Sequence, residues 1–341
     1  MAKKKVVESG ELFGLEVTER SCNHCNWTGY PTKSVVGEFE TYLCPNNHVV
    51  LFRKTTVTPV SQPKKVSKKA EVRSKLILEM GDFAIGRNKE LNIKTNTVYH
   101  ENNLVTFSRM DDDFLDLIVT SPPYDDLRAY EGIEWDYKKI MLEAHRTLKP
   151  GGVMVWIVGD GIDNDGSESG NSYRQTIFGI DIGLNLHDTM IYKKKSPAYP
   201  AGELSKRYTQ IFEFAFVFSK GTPKTVNLIK DKKNLTAGST TKNGSTVKTL
   251  AARDNIWEYG TGSIDTQKDS IAKLHPAIFP EMLAADHVIS WSNEGDIVYD
   301  CFAGSGTTLK VSKSLKRLYI GSEITKKYVD IINERLNTLE L

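Results

Sequence analysis

Thr120-Ser121-Pro122-Pro123-Tyr124 closes an apolar run, Asp116-Leu117-Ile118-Val119, and two consecutive prolines cannot continue a sheet. The run reads as a buried strand that ends in a rigid shelf. Both prolines lack an N–H and have fixed φ, so the shelf offers carbonyl acceptors, with the Ser121 hydroxyl on one side and the Tyr124 ring on the other. That set suits an amino group on a flat heterocycle: two acceptors for its two hydrogens and an aromatic ring to stack on it. The pentapeptide holds no strong acid, base or covalent nucleophile. A Pro-Pro turn after an ordinary strand has the same residues, so the shelf alone does not decide its own purpose.

A second stretch lies far along the chain, Asp296-Ile297-Val298-Tyr299-Asp300-Cys301-Phe302-Ala303-Gly304-Ser305-Gly306-Thr307-Thr308. It reads as a strand, a glycine turn and a helix starting at Thr307. Glu323 ends the next strand, about twenty residues on, where a ribose hydroxyl would be held. This is a nucleoside-binding corner. The third glycine of the dinucleotide fingerprint is replaced by Leu309, so S-adenosylmethionine suits the corner better than NAD.

Thr120-Ser121-Pro122-Pro123-Tyr124, His275-Pro276-Ala277-Ile278-Phe279-Pro280 and Phe302-Ala303-Gly304-Ser305-Gly306-Thr307-Thr308, in that order, resemble the amino-directed DNA methyltransferases of the β arrangement. In that arrangement the catalytic half precedes the cofactor half, and the resemblance covers roughly residues 95 to 341. It implies an α/β, doubly wound, Rossmann-like fold with permuted order, which is harmless because an open sheet binds ligands at neighbouring strand ends whichever is made first. It also implies a catalytic set of Ser121, Pro122, Pro123 and Tyr124, and a cofactor set of Pro276, Phe279, Asp300, Phe302, Gly304, Gly306, Thr307, Thr308 and Glu323 for S-adenosylmethionine. Pro276 and Phe279 would lie against the methionine end. An acidic residue before the catalytic strand contacts the cofactor adenine in the family, often in a Gly-Asp pair. Here the chain reads His100-Glu101-Asn102-Asn103, which leaves that contact unassigned.

The 341 residues allow two or three domains, and 39% hydrophobic content is ample for a core. The net charge of +2 hides an asymmetry: residues 1–80 carry 13 Lys+Arg against 8 Asp+Glu, leaving the remainder at −3. No apolar run reaches the ~18 residues of a membrane span, and Met1-Ala2-Lys3-Lys4-Lys5 is followed by no signal-peptide core. A cytoplasmic location and no membrane partner are expected. Cys22-x2-Cys25 and Cys44-x3-His48 have tetrahedral zinc spacing, and their flanks are too poor in apolar residues to form a core without a metal staple. Four protein ligands leave no open position, so the zinc would be structural. Three buried cysteines and an incidental histidine are the plainer alternative.

The expected division is a zinc ribbon at 1–54, a basic linker at 55–75, a catalytic half at 76–218, a target-recognition region at 219–265 and a cofactor half at 266–341. Lys64, Lys65, Lys68 and Lys69 could touch phosphates or merely solvate the tether. Tyr137, Met141, Ala144 and Leu148 recur at helical spacing, with a stop expected at Pro150-Gly151-Gly152 and a strand at Val153–Val158. Residues 159–171 read as a mobile loop. Phe212, Phe214, Phe216 and Phe218 line one strand face, better suited to a core than to base stacking. Residues 219–253 carry net +7, as a solvated loop or, by the resemblance, a DNA-recognition region. A helix is expected over 276–290, with Pro276 in its first turn, and Tyr328, Ile331, Ile332 and Leu336 mark a closing amphipathic helix.

An exocyclic amine is a poor nucleophile because its lone pair is conjugated into the ring. Hydrogen bonds to Ser121 and the Pro122 carbonyl would localise that pair, and the base would have to leave the duplex to reach them. Methylation at cytosine C5 is excluded, since the chain has no Pro-Cys dipeptide, and Cys301 reads as a buried strand residue. Cytosine N4 is the favoured target, because serine heads the motif more often in cytosine-N4 members; adenine N6 is the alternative. A zinc-ribbon DNA-binding protein with an inactive methyltransferase body is the reading from another class. Double-stranded DNA is the expected partner, with a cognate restriction endonuclease a further one.

Overall fold

The computed structural model describes residues 86–123, 135–163, 165–195, 208–260 and 280–338, together with the backbone of five strands between residues 20 and 54. The chain divides into two compact units, Met1–Val66 and Ser67–Leu341. In the first, β1 (Arg20–Ser21) pairs antiparallel with β2 (Thr28–Gly29), and β3 (Thr32–Val36), β4 (Phe39–Leu43) and β5 (Val49–Lys54) form an antiparallel sheet. Cys22, Cys25, Cys44 and His48 lie outside the described residues. Among the described residues no cluster of His, Cys, Asp and Glu could hold a metal ion, and no helix is long and apolar enough to cross a membrane.

The second unit is built on an eight-stranded sheet. Its strands are β6 (Thr97–His100), β7 (Leu115–Thr120), β8 (Leu148–Val158), β9 (Asn185–Lys194), β10 (Phe212–Ser219), β13 (Ile256–Tyr259), β14 (Ile297–Asp300) and β15 (Leu318–Glu323), in the order β13-β9-β10-β8-β7-β14-β15-β6. The run from β8 through β7, β14 and β15 to β6 is parallel, whereas β10 is antiparallel to both β8 and β9. The sheet is therefore mixed. The late strand β14 sits beside the early strand β7, with Val298 opposite Leu117 and Tyr299 opposite Ile118, which is the permuted order that the resemblance implies.

Helices cover both faces. On one side lie α1 (Asn103–Ser108), α2 (Tyr137–Thr147) and α3 (Asn171–Asp181), over a core that includes Phe107, Met141, Trp156, Phe178, Phe216 and Phe218. On the other, Leu283, Ala284 and Val288 of α4 (Glu281–Trp291) pack on Val153, Val155 and Val217. The remaining helices, α5 (Thr307–Ser314) and α6 (Lys326–Asn337), meet through Leu309 and Ile332. Phe216 and Phe218 are core residues, while Phe212 and Phe214 are only half-buried.

Two expected boundaries move. Asp136 caps α2 by accepting from Lys138 N at 2.9 Å, but the helix ends at Thr147, so Leu148 belongs to β8. Pro150-Gly151-Gly152 is absorbed by a register shift in the strand, because Leu115 faces Leu148 and Leu117 faces Val153. Likewise α4 starts only at Glu281, after Pro280 in an extended conformation (φ −63°, ψ 129°). A helix from 276 would have placed Pro280 in its interior, without a donor and against the carbonyl four residues back.

Candidate active site

Ser121, Pro122 and Pro123 leave the carboxyl end of β7, and Tyr124 lies outside the described residues. The neighbouring strand β14 ends at Asp300, and Thr120 Oγ1 donates to Asp300 Oδ1 at 2.7 Å. Shelf and glycine turn thus begin from adjacent, bonded strand ends. The Phe302 amide also donates to Asp300 Oδ1, at 3.1 Å. Burial pushes the Asp300 carboxyl up to about 6, although hydrogen bonds from Thr120, Thr308 and the Phe302 amide pull the other way. Cys301 is buried, and burial raises its thiol far above the ordinary range, so it is no nucleophile at neutral pH.

The turn needs its glycines. Gly304 (φ 51°) and Gly306 (φ 77°) are left-handed, and a Cβ on Gly306 would lie 2.8 Å from Ile332 Cγ1. Thr307 and Thr308 open α5, and both are buried. Glu323, at the end of β15, accepts from Gly304 N at 3.0 Å and from Thr325 N at 2.8 Å, and burial raises its carboxyl. The Thr325 side chain bonds the same carboxylate, and the lone-pair capacity that remains can accept from a further donor such as a hydroxyl. The third glycine of the fingerprint has moved to the strand: a Cβ on Gly321 would come within 2.4 Å of Leu309 Cδ1, so Gly321 makes the room that Leu309 fills. Phe302 is half-buried, with its ring 5.4 Å from Trp135 in an edge-on contact. Pro276 and Phe279 lie outside the described residues.

Next to this corner, β6 ends with His100 opposite Glu323. Glu101 is bound by Arg109 at 2.7 and 2.8 Å and by Thr106 at 2.9 Å, so its carboxylate is committed locally. Asn102 caps α1, and Asn103 Nδ2 donates to the Cys301 carbonyl at 3.1 Å, tying this edge to β14. Beyond β8, the Asp160 carboxylate accepts from Ser172 N at 2.9 Å and from Ser169 Oγ at 3.2 Å, and Ile162 bridges to Glu168. The described part of the loop read as mobile is therefore hydrogen-bonded on itself.

The basic stretch divides in two. Lys220 lies at the opposite, amino edge of the sheet, bonded to Gly151 and Gly152 and paired with Asp113 at 2.6 Å. Further on, β11 (Lys232–Lys233) and β12 (Leu250–Ala251) form a hairpin. At its base Arg253 joins Asp231, Asp286 and Tyr259, and Lys232 pairs with Asp254 at 2.6 Å. Lys224, Lys230, Lys233, Lys242 and Lys248 are exposed and have no acidic partner among the described residues.

Sequence reasoning missed three contributors: Thr120, Gly321 and Arg335. Arg335 is fully buried and bonded to Ser305 in the glycine turn. Its signal was present, because it falls on the apolar stripe of the closing helix, where an unpaired charge would be costly.

Residues 115–334 match a family described as DNA methylase, the N6/N4 group. The chain is 49% identical over 238 residues to the orphan methyltransferase M.BamHII of Bacillus amyloliquefaciens, covering 65% of this chain and 88% of that one. It is 26% identical over 255 residues to the type II methyltransferase M.BglII of Bacillus subtilis, covering 71% and 69%. The solved PvuII DNA methyltransferase, described as cytosine-N4-specific, superposes with a TM-score of 0.57 at 22% identity, over 75% of this chain and 92% of that one, which shows a shared fold.

Proposed function

The chain belongs to the N6/N4 DNA methylase family, and from that premise we propose that it methylates the exocyclic amine of a flipped base in double-stranded DNA, cytosine N4 in preference to adenine N6, with S-adenosylmethionine as donor. The Thr120–Asp300 hydrogen bond carries this reading, because it fixes the shelf beside the glycine turn. Bound at that turn, S-adenosylmethionine supplies an electrophilic methyl group. Gly304 and Gly306 let the backbone approach a ligand, Glu323 accepts from ribose hydroxyls, and Asp300, Phe302, Thr307 and Thr308 hold the turn in shape.

On the shelf, the Ser121 hydroxyl and the Pro122 carbonyl accept the amine hydrogens and localise the nitrogen lone pair. Tyr124 stacks on the base once it has left the duplex, at a cost of a few kcal/mol. Ser121 favours cytosine, being the residue type more common at this position in cytosine-N4 members. Pro276 and Phe279 stand for the methionine end of the cofactor. The exposed lysines of the β11–β12 hairpin suit phosphate contacts.

For the N-terminal unit the proposal is one structural zinc on Cys22, Cys25, Cys44 and His48. The backbone supports it: the first pair falls in the connection between β1 and β2, the second between β4 and β5, and each connection joins antiparallel strands. A cognate restriction endonuclease fits a relative such as M.BglII, whereas M.BamHII is described as an orphan. Sequencing modified bases in DNA from cells that express the chain tests the proposal. One methylated cytosine context is expected, and unmodified DNA would contradict it.

A further inference from the structure

Arg335 lies on the apolar face of α6, one turn from Ile331 and Ile332, and it is fully buried. Its guanidinium reaches two elements far apart in the chain. Nη1 donates to the Ser305 carbonyl and lies 3.3 Å from the Ser305 and Thr307 hydroxyls. Nη2 donates to Glu281 Oε1 at 3.2 Å. Glu281 is the first residue of α4, and the same oxygen accepts from Lys310 Nζ at 2.6 Å.

The topology explains why these groups meet. Helix α4 leads into β14 at the amino edge of the sheet, so its first residue stands at the carboxyl edge, where the glycine turn leaves β14. A hydrophobic side chain could fill the space of Arg335 at less desolvation cost. What it could not do is bond in two directions at once. The planar fork spans a fixed separation, whereas a lysine ammonium is a point charge on a flexible stem.

We propose that Arg335 is a positioning residue for the cofactor: it clamps the Ser305–Thr307 turn to the start of α4 and so holds in place the glycine turn at which the cofactor is read to bind. The proposal rests on the cofactor reading above. Lys310 shares the carboxylate, which keeps Glu281 turned inward.

The test uses the full chain and S-adenosylhomocysteine as the calorimetric probe, with Arg335→Lys and Glu281→Gln, melting curves, and steady-state rates on duplex DNA. Arg335→Lys should weaken the probe at least tenfold and raise KM for S-adenosylmethionine in parallel, while kcat stays within threefold and DNA affinity is unchanged. Glu281→Gln should move the same quantities by a smaller factor, and it carries the test alone if Arg335→Lys does not fold. Probe affinities within twofold of wild type, with only the melting temperature lowered, would make Arg335 a strut of the fold and overturn the clamp. If the wild-type chain itself fails to bind the probe, the cofactor reading falls first, and that failure is distinct.

Discussion

Thr120 donates its hydroxyl hydrogen to Asp300 Oδ1 across 2.7 Å, joining two strands whose residues stand 180 positions apart. The shelf and the glycine turn are placed relative to each other by this bond and by the β7–β14 register, with no need for a contiguous motif.

The same pair makes stability depend on pH. Asp300 has its folded value raised to about 6 by burial, from 3.8, so the native state holds a proton that the unfolded chain has released. Its contribution is fully present below about pH 4 and is lost as pH rises through 6, up to about 3 kcal/mol. Asp300→Asn should remove that slope, and Thr120→Val, which deletes a donor to the carboxylate, should steepen it. Chemical denaturation at pH 5 and pH 8 reads both. Equal pH profiles for wild type and Asp300→Asn would contradict the assignment.

His287 works in the opposite sense. It is buried against Trp257, neither ring nitrogen has a hydrogen-bond partner among the described residues, and burial lowers it to about 3 from 6.5. Stability is then present above pH 6.5 and lost as pH falls toward 3, about 2 kcal/mol by pH 5. His287→Phe should gain on the wild type in acid and be close to it at pH 8. A loss that is the same at both pH values would mean that packing alone matters at this position.

Base stacking and cofactor binding should separate by mutation. Tyr124→Ala should abolish most turnover with cofactor affinity nearly unchanged, and Glu323→Ala should weaken the cofactor. Gly306→Val is a poorer probe, since its Cβ would strike Ile332 and its φ of 77° is left-handed, so the turn itself would be disturbed. Wild-type turnover in Tyr124→Ala would remove the stacking role.

What was legible in the chain was local. A proline pair ends a strand and a glycine pair makes a turn whatever surrounds them, and Thr307 and Glu323 fall at the helix start and strand end that the sequence pattern marks. What was not legible depends on partners distant in sequence. Leu309 looked like a broken fingerprint until Gly321 was found beneath it, and the apolar stripe that carries Arg335 could not name Ser305 and Glu281 as its partners. The net +7 of residues 219–253 could not show that Lys220, Lys232 and Arg253 are answered by Asp113, Asp254 and Asp286.

That neutralisation narrows the DNA-binding prediction to the lysines left over. Replacing Lys230, Lys233 and Lys242 with alanine should weaken binding to all duplexes alike and lower the salt slope by about one unit for each phosphate no longer neutralised. Lys232→Ala should do little to the slope. Unchanged affinity and salt dependence in the triple variant would make the hairpin a solvated loop.

The most direct measurement is transfer itself. Duplex DNA incubated with the purified chain and methyl-labelled S-adenosylmethionine, then digested to nucleosides, should carry the label in N4-methyldeoxycytidine, and Tyr124→Ala should abolish most of it. Label in N6-methyldeoxyadenosine would keep the amine chemistry and overturn the choice of base. Label at cytosine C5, or none with a folded, cofactor-binding chain, would contradict the account of the shelf.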